Sequence, residues 1–556
     1  MSDVELLADE YWRAFRDSAQ LWNIDRGDVD QIEHWEDLSP DGVADRVERL
    51  DGFARRAGAL SAGERTERER ALLAAVSFSA VATASTLPTL RDLTLVAAPF
   101  NFATYLSVLT PGYSLTTRAH GEGYVTKLRS LPSFVEAWTA GLREGAASGR
   151  VATARGVRAA VAELDAMVAT DPANDPLALQ SPPEEASAAE VEAWRAEVIE
   201  AIRHDVRPAI GRLRTVLHEI LPMARTDEQA GICHLPDGAA TYEALLRAST
   251  STDLTAEAVH ELGVEQLALL DEEYRTVGAA AVGLDDPAAV RERLRGDTSL
   301  RYATADEVVS DAMATLARAQ AEAPGWFAAM PRATCTAVAA HSGPMAYYTA
   351  PSPDGGRGGT FFFNTSDPGA WSRHQLEVTT FHEAVPGHHL QLALAQELDL
   401  HPVLGELEVV GYSEGWGLYA ERLADEMGLY SSPLQRLGML TLDSLRAARL
   451  VVDTGLHALG WTRDEAVAAL LRHTAQPRGN AEQEIDRYIA DPGQATSYMV
   501  GRLEIQRLRR QAESRLGERF SLRAFHGLVL GNGMTPLGEL ARAVGAWTDR
   551  TLASPT

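Results

Sequence analysis

Apolar residues recur every three or four positions along most of the chain, the spacing that lines one face of an α-helix. AWRAEVIEAIRHDVRPAIGRLRTVLHEIL (193–221) and LQRLGMLTLDSLRAARLVVDTGLHAL (434–459) show it most fully, and their Ala, Leu, Arg and Glu are strong helix formers. The pattern predicts a mainly α protein. It is interrupted by a Pro-, Asp- and Ser-rich loop at 169–190 and by the turn HLPDG at 234–238, after which Thr255 stands as an N-cap for the next helix. These breaks suggest a helical region over 1–230 and a second over 231–556, expected to form one continuous unit. The one strand signal is GPMAYYTAPSPDGGRGGTFFFNTSDPG (343–369), aromatic runs on either side of a Pro- and Gly-rich turn, which predicts a small hairpin.

The run ALLAAVSFSAVATASTLPTL at 71–90 carries no charge and is long enough to cross a bilayer. Its Ser77, Ser79, Thr83, Ser85, Thr86 and Pro88 favour a buried helix instead, so no membrane is expected. Composition changes the picture further. Hydrophobic residues make up 45% and charged residues 23%, as in a globular protein. The formal charge is −27, from 78 Asp and Glu against 51 Lys and Arg, which repels phosphate backbones and excludes nucleic acid as an expected partner. Only Cys233 and Cys335 are present and the N-terminal residues are acidic, so the expected location is cytoplasmic.

Chemistry concentrates in FHEAVPGHHLQ (381–391). Zinc hydrolases use H-E-x-x-H because residues four apart on a helix bring two imidazoles to one ion while the glutamate addresses its water. Here Pro386 holds the place of the second histidine, and His388 and His389 follow six and seven residues after His382. In a straight helix that is roughly 9 to 10.5 Å of rise, too far for one ion. Pro386 cannot donate to the His382 carbonyl and Gly387 tolerates unusual dihedrals, so a break or bulge is expected to return one histidine to the same side. Spacing alone does not choose between His388 and His389. In YSEGWGLYAE, Glu414 opens a face continued by Leu418 and Glu421, and a carboxylate on a second helix completes a two-histidine, one-glutamate site.

FHEAVPGHHLQ, YSEGWGLYAE, RLVVDTGLHALGW, EIDRYIADPGQATSYMVG and FHGLVLGNGMTPL follow in this order. Together they resemble the bacterial domain-of-unknown-function family 885, whose fold is similar to that of carboxypeptidase Taq-type, gluzincin-like zinc metallopeptidases. The resemblance covers most of the C-terminal half and runs more thinly to the N-terminus. It implies a large helical peptidase-like fold with a small hairpin or sheet lining the cleft. The family pattern H-E-x-x-P-G-H implies His388 as ligand beside His382, and Glu414 resembles the downstream glutamate ligand of zinc aminopeptidases.

The expected roles follow. His382, His388 and Glu414 hold one zinc, with manganese or cobalt open to the same donors. Glu383 is the general base, and Tyr498 is a donor to a developing oxyanion. His457, four residues after Asp453, is a candidate cleft histidine. Arg487 is a candidate grip on a substrate carboxylate, and Arg502 is read as a structural ion pair. Thr360, Phe362 and Asn364 belong to a candidate edge strand that pairs with an extended substrate. Trp416 and Tyr419 are read as packing residues, and His34, His120 and His526 receive no role. The expected function is a peptidase acting by metal-activated water, carboxypeptidase-like if Arg487 serves. The alternatives are a hydrolase of a small amide or ester, or an inactive peptidase fold serving as a binding scaffold.

Overall fold

The computed structural model describes residues 2–18, 29, 32–352 and 356–554. About 72% of it is helical, with one small sheet, so the mainly α expectation holds. The elements that position the site are α1 (Glu67–Asp92), α2 (Ala256–Val282), α3 (Ala305–Glu322), β1 (Cys335–Ala340), β2 (Ala346–Thr349), β3 (Gly359–Asn364), α4 (Leu376–Glu383), α5 (His388–Glu397), α6 (Val410–Glu426), α7 (Pro433–His457), α8 (Arg478–Ala490) and α9 (Ser497–Leu516).

The uncharged run at 71–90 lies within α1, which starts from a Thr66–Glu69 capping box and buries Leu72, Leu73, Val76, Ala80 and Leu87. By length and composition it is the one helix among the described residues that could cross a membrane. Here it packs in a core with Leu7, Tyr11 and Phe53, and the Tyr11 hydroxyl donates to Ser79 Oγ at 2.7 Å. Thr255 caps α2 as expected, accepting from Ala258 N.

The largest apolar cluster joins Leu128 and Trp138 to Leu270, Leu450 and Met499, so the core continues across residue 230 without a division there. The long α7 runs through it, with every residue from Leu437 to His457 buried except Arg446.

The expected hairpin is present as β2 and β3, antiparallel with Ala346 opposite Phe363 and Thr349 opposite Thr360. Some of its turn, residues 353–355, lies outside the described residues. The sheet also has a third strand that the sequence pattern did not signal, because CTAVAA has small residues and no aromatic run. This β1 pairs in parallel with β3, giving the order β1-β3-β2. The edge-strand expectation for Thr360 to Asn364 is therefore corrected: β3 is central and paired on both sides. Phe361 and Phe363 fill the core beneath it, and the free edge next to the cleft belongs to β2.

Candidate metal centre

The chain breaks where Pro386 and Gly387 stand. Helix α4 ends at Glu383, Ala384 leaves helical geometry at φ −106° and ψ −105°, and α5 begins at His388. A side chain at Gly387 would place its Cβ 1.9 Å from the His382 carbonyl oxygen, so only glycine fits this corner. The Trp416 indole donates to the Pro386 carbonyl at 3.0 Å, and His389 N donates to Ala384 O at 3.0 Å. The expected break is thus a corner between two helices, not a bulge within one.

That corner separates the two candidate histidines. The His388 and His382 rings face each other edge to face, 4.8 Å between centroids at 89°. His389 turns away, its Nδ1 2.8 Å from the Tyr348 hydroxyl on β2, and burial pulls its pKa down to about 4. Of the two, His388 is the one that lies with His382 and Glu414.

The third donor arrives on α6, which crosses α9 with almost no side chain between them. A Cβ at Gly415 would lie 2.6 Å from backbone atoms of Gly501, and one at Gly501 would lie 1.8 Å from Gly411 O. This close approach sets Glu414 of α6 and Tyr498 of α9 at the same cleft. Glu414 Oε2 lies 3.3 Å from His382 Nε2 and 3.5 Å from His388 Nε2, and the three donor atoms are all within 4.8 Å of one another. Bonds of ~2.0–2.1 Å to a tetrahedral zinc put its ligand atoms ~3.3 Å apart. The two separations from Glu414 match that spacing, and the chemistry of the donor set suits such an ion.

Electrostatics agrees with the spacing. The second nitrogen of His382, Nδ1, lies 2.8 Å from Glu421 Oε1, and Glu421 is fully buried two turns along α6 from Glu414. A carboxylate behind a ligating imidazole fixes its tautomer and raises its basicity. Burial opposes a charge on His382, but Glu414 and Glu421 outweigh it and hold its pKa up to about 10. Burial likewise opposes the Glu414 charge, yet the two histidines keep it well below the usual carboxylate range. These groups favour a positive charge at their centre.

A cleft of about 380 Å³ opens beside the three donors, walled by Tyr347 and Tyr348 of β2, Glu383, Arg446 and Tyr498. A second chamber of about 440 Å³ adjoins it, sharing Ala346, Glu383 and Arg446. Glu383 is half-buried and bordered by both chambers. Burial and the nearby Glu414 carboxylate push Tyr498 up to about 12, so its phenol is a donor at neutral pH.

Other expected residues lie elsewhere. His457 is fully buried. Its Nδ1 accepts from Ile232 N at 3.2 Å and its Nε2 faces the Tyr488 carbonyl at 3.0 Å, so both nitrogens are engaged and burial pulls its pKa to about 3. Asp453 does not orient it, accepting instead from the Tyr242 hydroxyl and Gly493 N. The cleft role of His457 is therefore corrected to a core one. Arg487 is held by both oxygens of Glu484 and by Gln494, which occupies its fork. Arg502 pairs with buried Asp443 at 2.7 Å, as expected.

Thr360 is buried, Phe362 stacks on Tyr347 at 4.9 Å, and Asn364 accepts from Ser366 N at 2.9 Å while donating to Gly343 O. These three support the wall and do not face a substrate edge. Trp416 and Tyr419 are packing residues, Tyr419 joined to His526 at 2.9 Å. Arg446 is a cleft residue that sequence reasoning missed; with Arg436, Asp443, Arg449 and Asp453 on the same helix, nothing in the sequence set it apart.

The comparisons bear on family and fold. The family described as "Bacterial protein of unknown function (DUF885)" matches residues 21–544, and the chain belongs to it. No curated protein matches. Two solved structures share the fold. One, described as "the putative lipoprotein from Colwellia psychrerythraea", has a TM-score of 0.88 at 24% identity over 99% of this chain and 100% of its own. The other, a "putative lipoprotein of unknown function from Shewanella oneidensis", has a TM-score of 0.75 at 16% identity over 98% and 99%.

Proposed function

We propose that this member of the bacterial family is a zinc-dependent peptidase whose ion is held by His382, His388 and Glu414. The observation that carries the reading is the convergence of these three donors within 4.8 Å of one another, Glu414 standing 3.3 and 3.5 Å from the two histidines, with Glu421 behind His382. Bound there, zinc would supply an acidified water and polarise a substrate carbonyl.

The chain's own residues do the rest. Glu383, with no hydrogen-bond partner among the described residues, takes the proton from the attacking water and passes it to the departing amine. The Tyr498 phenol donates to the oxygen that gains charge. The free edge of β2, beside the same cleft, offers backbone N–H and C=O groups to an extended peptide. That edge favours a peptide over a small amide or ester, and an unengaged Glu383 favours an enzyme over a scaffold.

The test is zinc content together with cleavage of a broad peptide mixture, for wild type and Glu383→Gln. About one zinc per chain in both, with cleavage in wild type alone, supports the reading. Zinc-loaded wild type without cleavage, or Glu383→Gln with full cleavage, refutes it.

A further inference from the structure

The free edge at the cleft belongs to a lightly supported strand. Strand β2 has four residues and pairs with β3 alone. A short strand bonded on one side keeps its place through side-chain contacts on its faces. On one face Tyr347 stacks on Phe362, 4.9 Å between centroids. Tyr348, the next residue, points to the opposite face. Its hydroxyl meets His389 Nδ1 at 2.8 Å, and the two rings stand edge to face at 74°.

His389 is placed to tie that strand to the corner of the candidate metal centre. It follows His388 directly, is buried, and its backbone N–H donates to Ala384 O across the corner. Gly359, the first residue of β3, leaves room for the contact with Tyr348. A Cβ there would lie 2.2 Å from the Tyr348 hydroxyl oxygen and 2.5 Å from His389 Nδ1. The far end of α5 is tied to the sheet as well, where Glu397 accepts from Ala333 N at 3.2 Å, two residues before β1. Helix α5 is thus pinned to the sheet at both ends, and the His389 imidazole is the pin beside the candidate ligands.

Resting on the peptidase reading, we infer that His389 is a positioning residue: through Tyr348 it sets where the free edge of β2 lies relative to the metal centre. It neither binds the ion nor touches the substrate. Its effect is carried by the backbone groups of β2, so it grows with the length of peptide laid along that edge. A dipeptide held at the centre leaves most of the edge unused, whereas an extended peptide advances by about 3.4 Å per residue and follows the whole strand. Small displacements matter here, because a misplacement of about 1 Å can cost on the order of 100-fold in rate.

The experiment measures kcat and KM for an alanine dipeptide and an alanine hexapeptide on zinc-loaded wild type, Tyr348→Phe, His389→Leu and His389→Asn. Losing the hydroxyl or the ring nitrogen is expected to lower kcat/KM for the hexapeptide about 10-fold, mainly through KM, and for the dipeptide by less than about 2-fold. His389→Asn, whose amide can take the place of Nδ1, recovers most of the hexapeptide rate. Zinc content stays at the wild-type value in all four proteins.

A second readout needs no turnover. Hydrogen–deuterium exchange of the β2 amides should quicken in Tyr348→Phe and His389→Leu while that of β1 keeps its rate. Equal losses for the two peptides, or unaltered exchange in β2, overturns the inference and leaves the peptidase reading standing. Loss of zinc in His389→Leu also overturns it, because the residue would then support the ion and not the strand. Zinc-loaded wild type that cleaves neither peptide refutes the peptidase reading, and the inference falls with it.

Discussion

A single methyl group placed at Gly417 tests the centre from behind. On α6, a Cβ at this position would lie 2.6 Å from His382 Cε1, 2.9 Å from Nε2 and 3.0 Å from Nδ1. Carbon atoms rest at about 3.5 Å or more, so the imidazole must retreat by roughly 0.9 Å at Cε1. Zinc–ligand distances tolerate about 0.2 Å, and the same retreat disturbs the 2.8 Å contact with Glu421. Gly417→Ala is therefore expected to weaken zinc binding about 10- to 100-fold, the usual effect of disturbing a ligand's support.

The helix itself should not suffer, because alanine exceeds glycine in helix propensity by about 1 kcal/mol. The assay is competition with a chromophoric zinc chelator, alongside circular dichroism of the metal-free proteins. Gly545→Ala is the control, since nothing lies within 4 Å of a Cβ built there. Equal zinc affinity for Gly417→Ala and wild type, with native helicity in both, would refute the assignment of His382 as a ligand.

Two further outcomes are expected. His388→Ala should lose the zinc that His389→Ala retains, because His389 is directed to Tyr348; metal analysis of both variants decides, and the reverse result would exchange their roles. For Asp453, burial raises the carboxyl from 3.8 to about 7, so the fold favours its protonated form. That contribution is fully present below pH 3.8 and is lost as pH rises through about 7, a swing on the order of 4 kcal/mol. Asp453→Asn should gain stability relative to wild type between pH 5 and pH 8 in urea titrations, and a difference that stays constant with pH would contradict this.

The helical fold was legible because its signal is local: apolar spacing, caps such as Thr255, and breakers at 169–190 and 234–238 all act within a few residues. The candidate ligand set was only partly legible. His382 and Glu414 followed from the chemistry of the motif, but the choice of His388 needed the direction in which α5 leaves the corner. Glu421 lay on the face read from Glu414 and Leu418, yet its service to His382 is a contact between helices. His457 and Arg487 misled for one reason. A titratable side chain within a suggestive motif can be satisfied by distant backbone or by a neighbour, as Ile232, Tyr488 and Glu484 do here. Strand β1 stayed hidden because its inward residues, Cys335, Ala337 and Ala339, are small while the apolar Val338 faces outward, so hydrophobicity does not mark the alternation in CTAVAA.

The corner at residues 384–387 also alters what a motif means. In H-E-x-x-H one helix dictates the distance between ligands, so the letters and the geometry are the same information. Here two rods meet at a pinned joint, and the angle between them can be tuned by packing far from the candidate site without changing a single letter of the motif. Counting intervals would pass over such a centre. A pattern built on roles would recover it: a histidine in the last turn of one helix, a corner only glycine can complete, and a histidine opening the next.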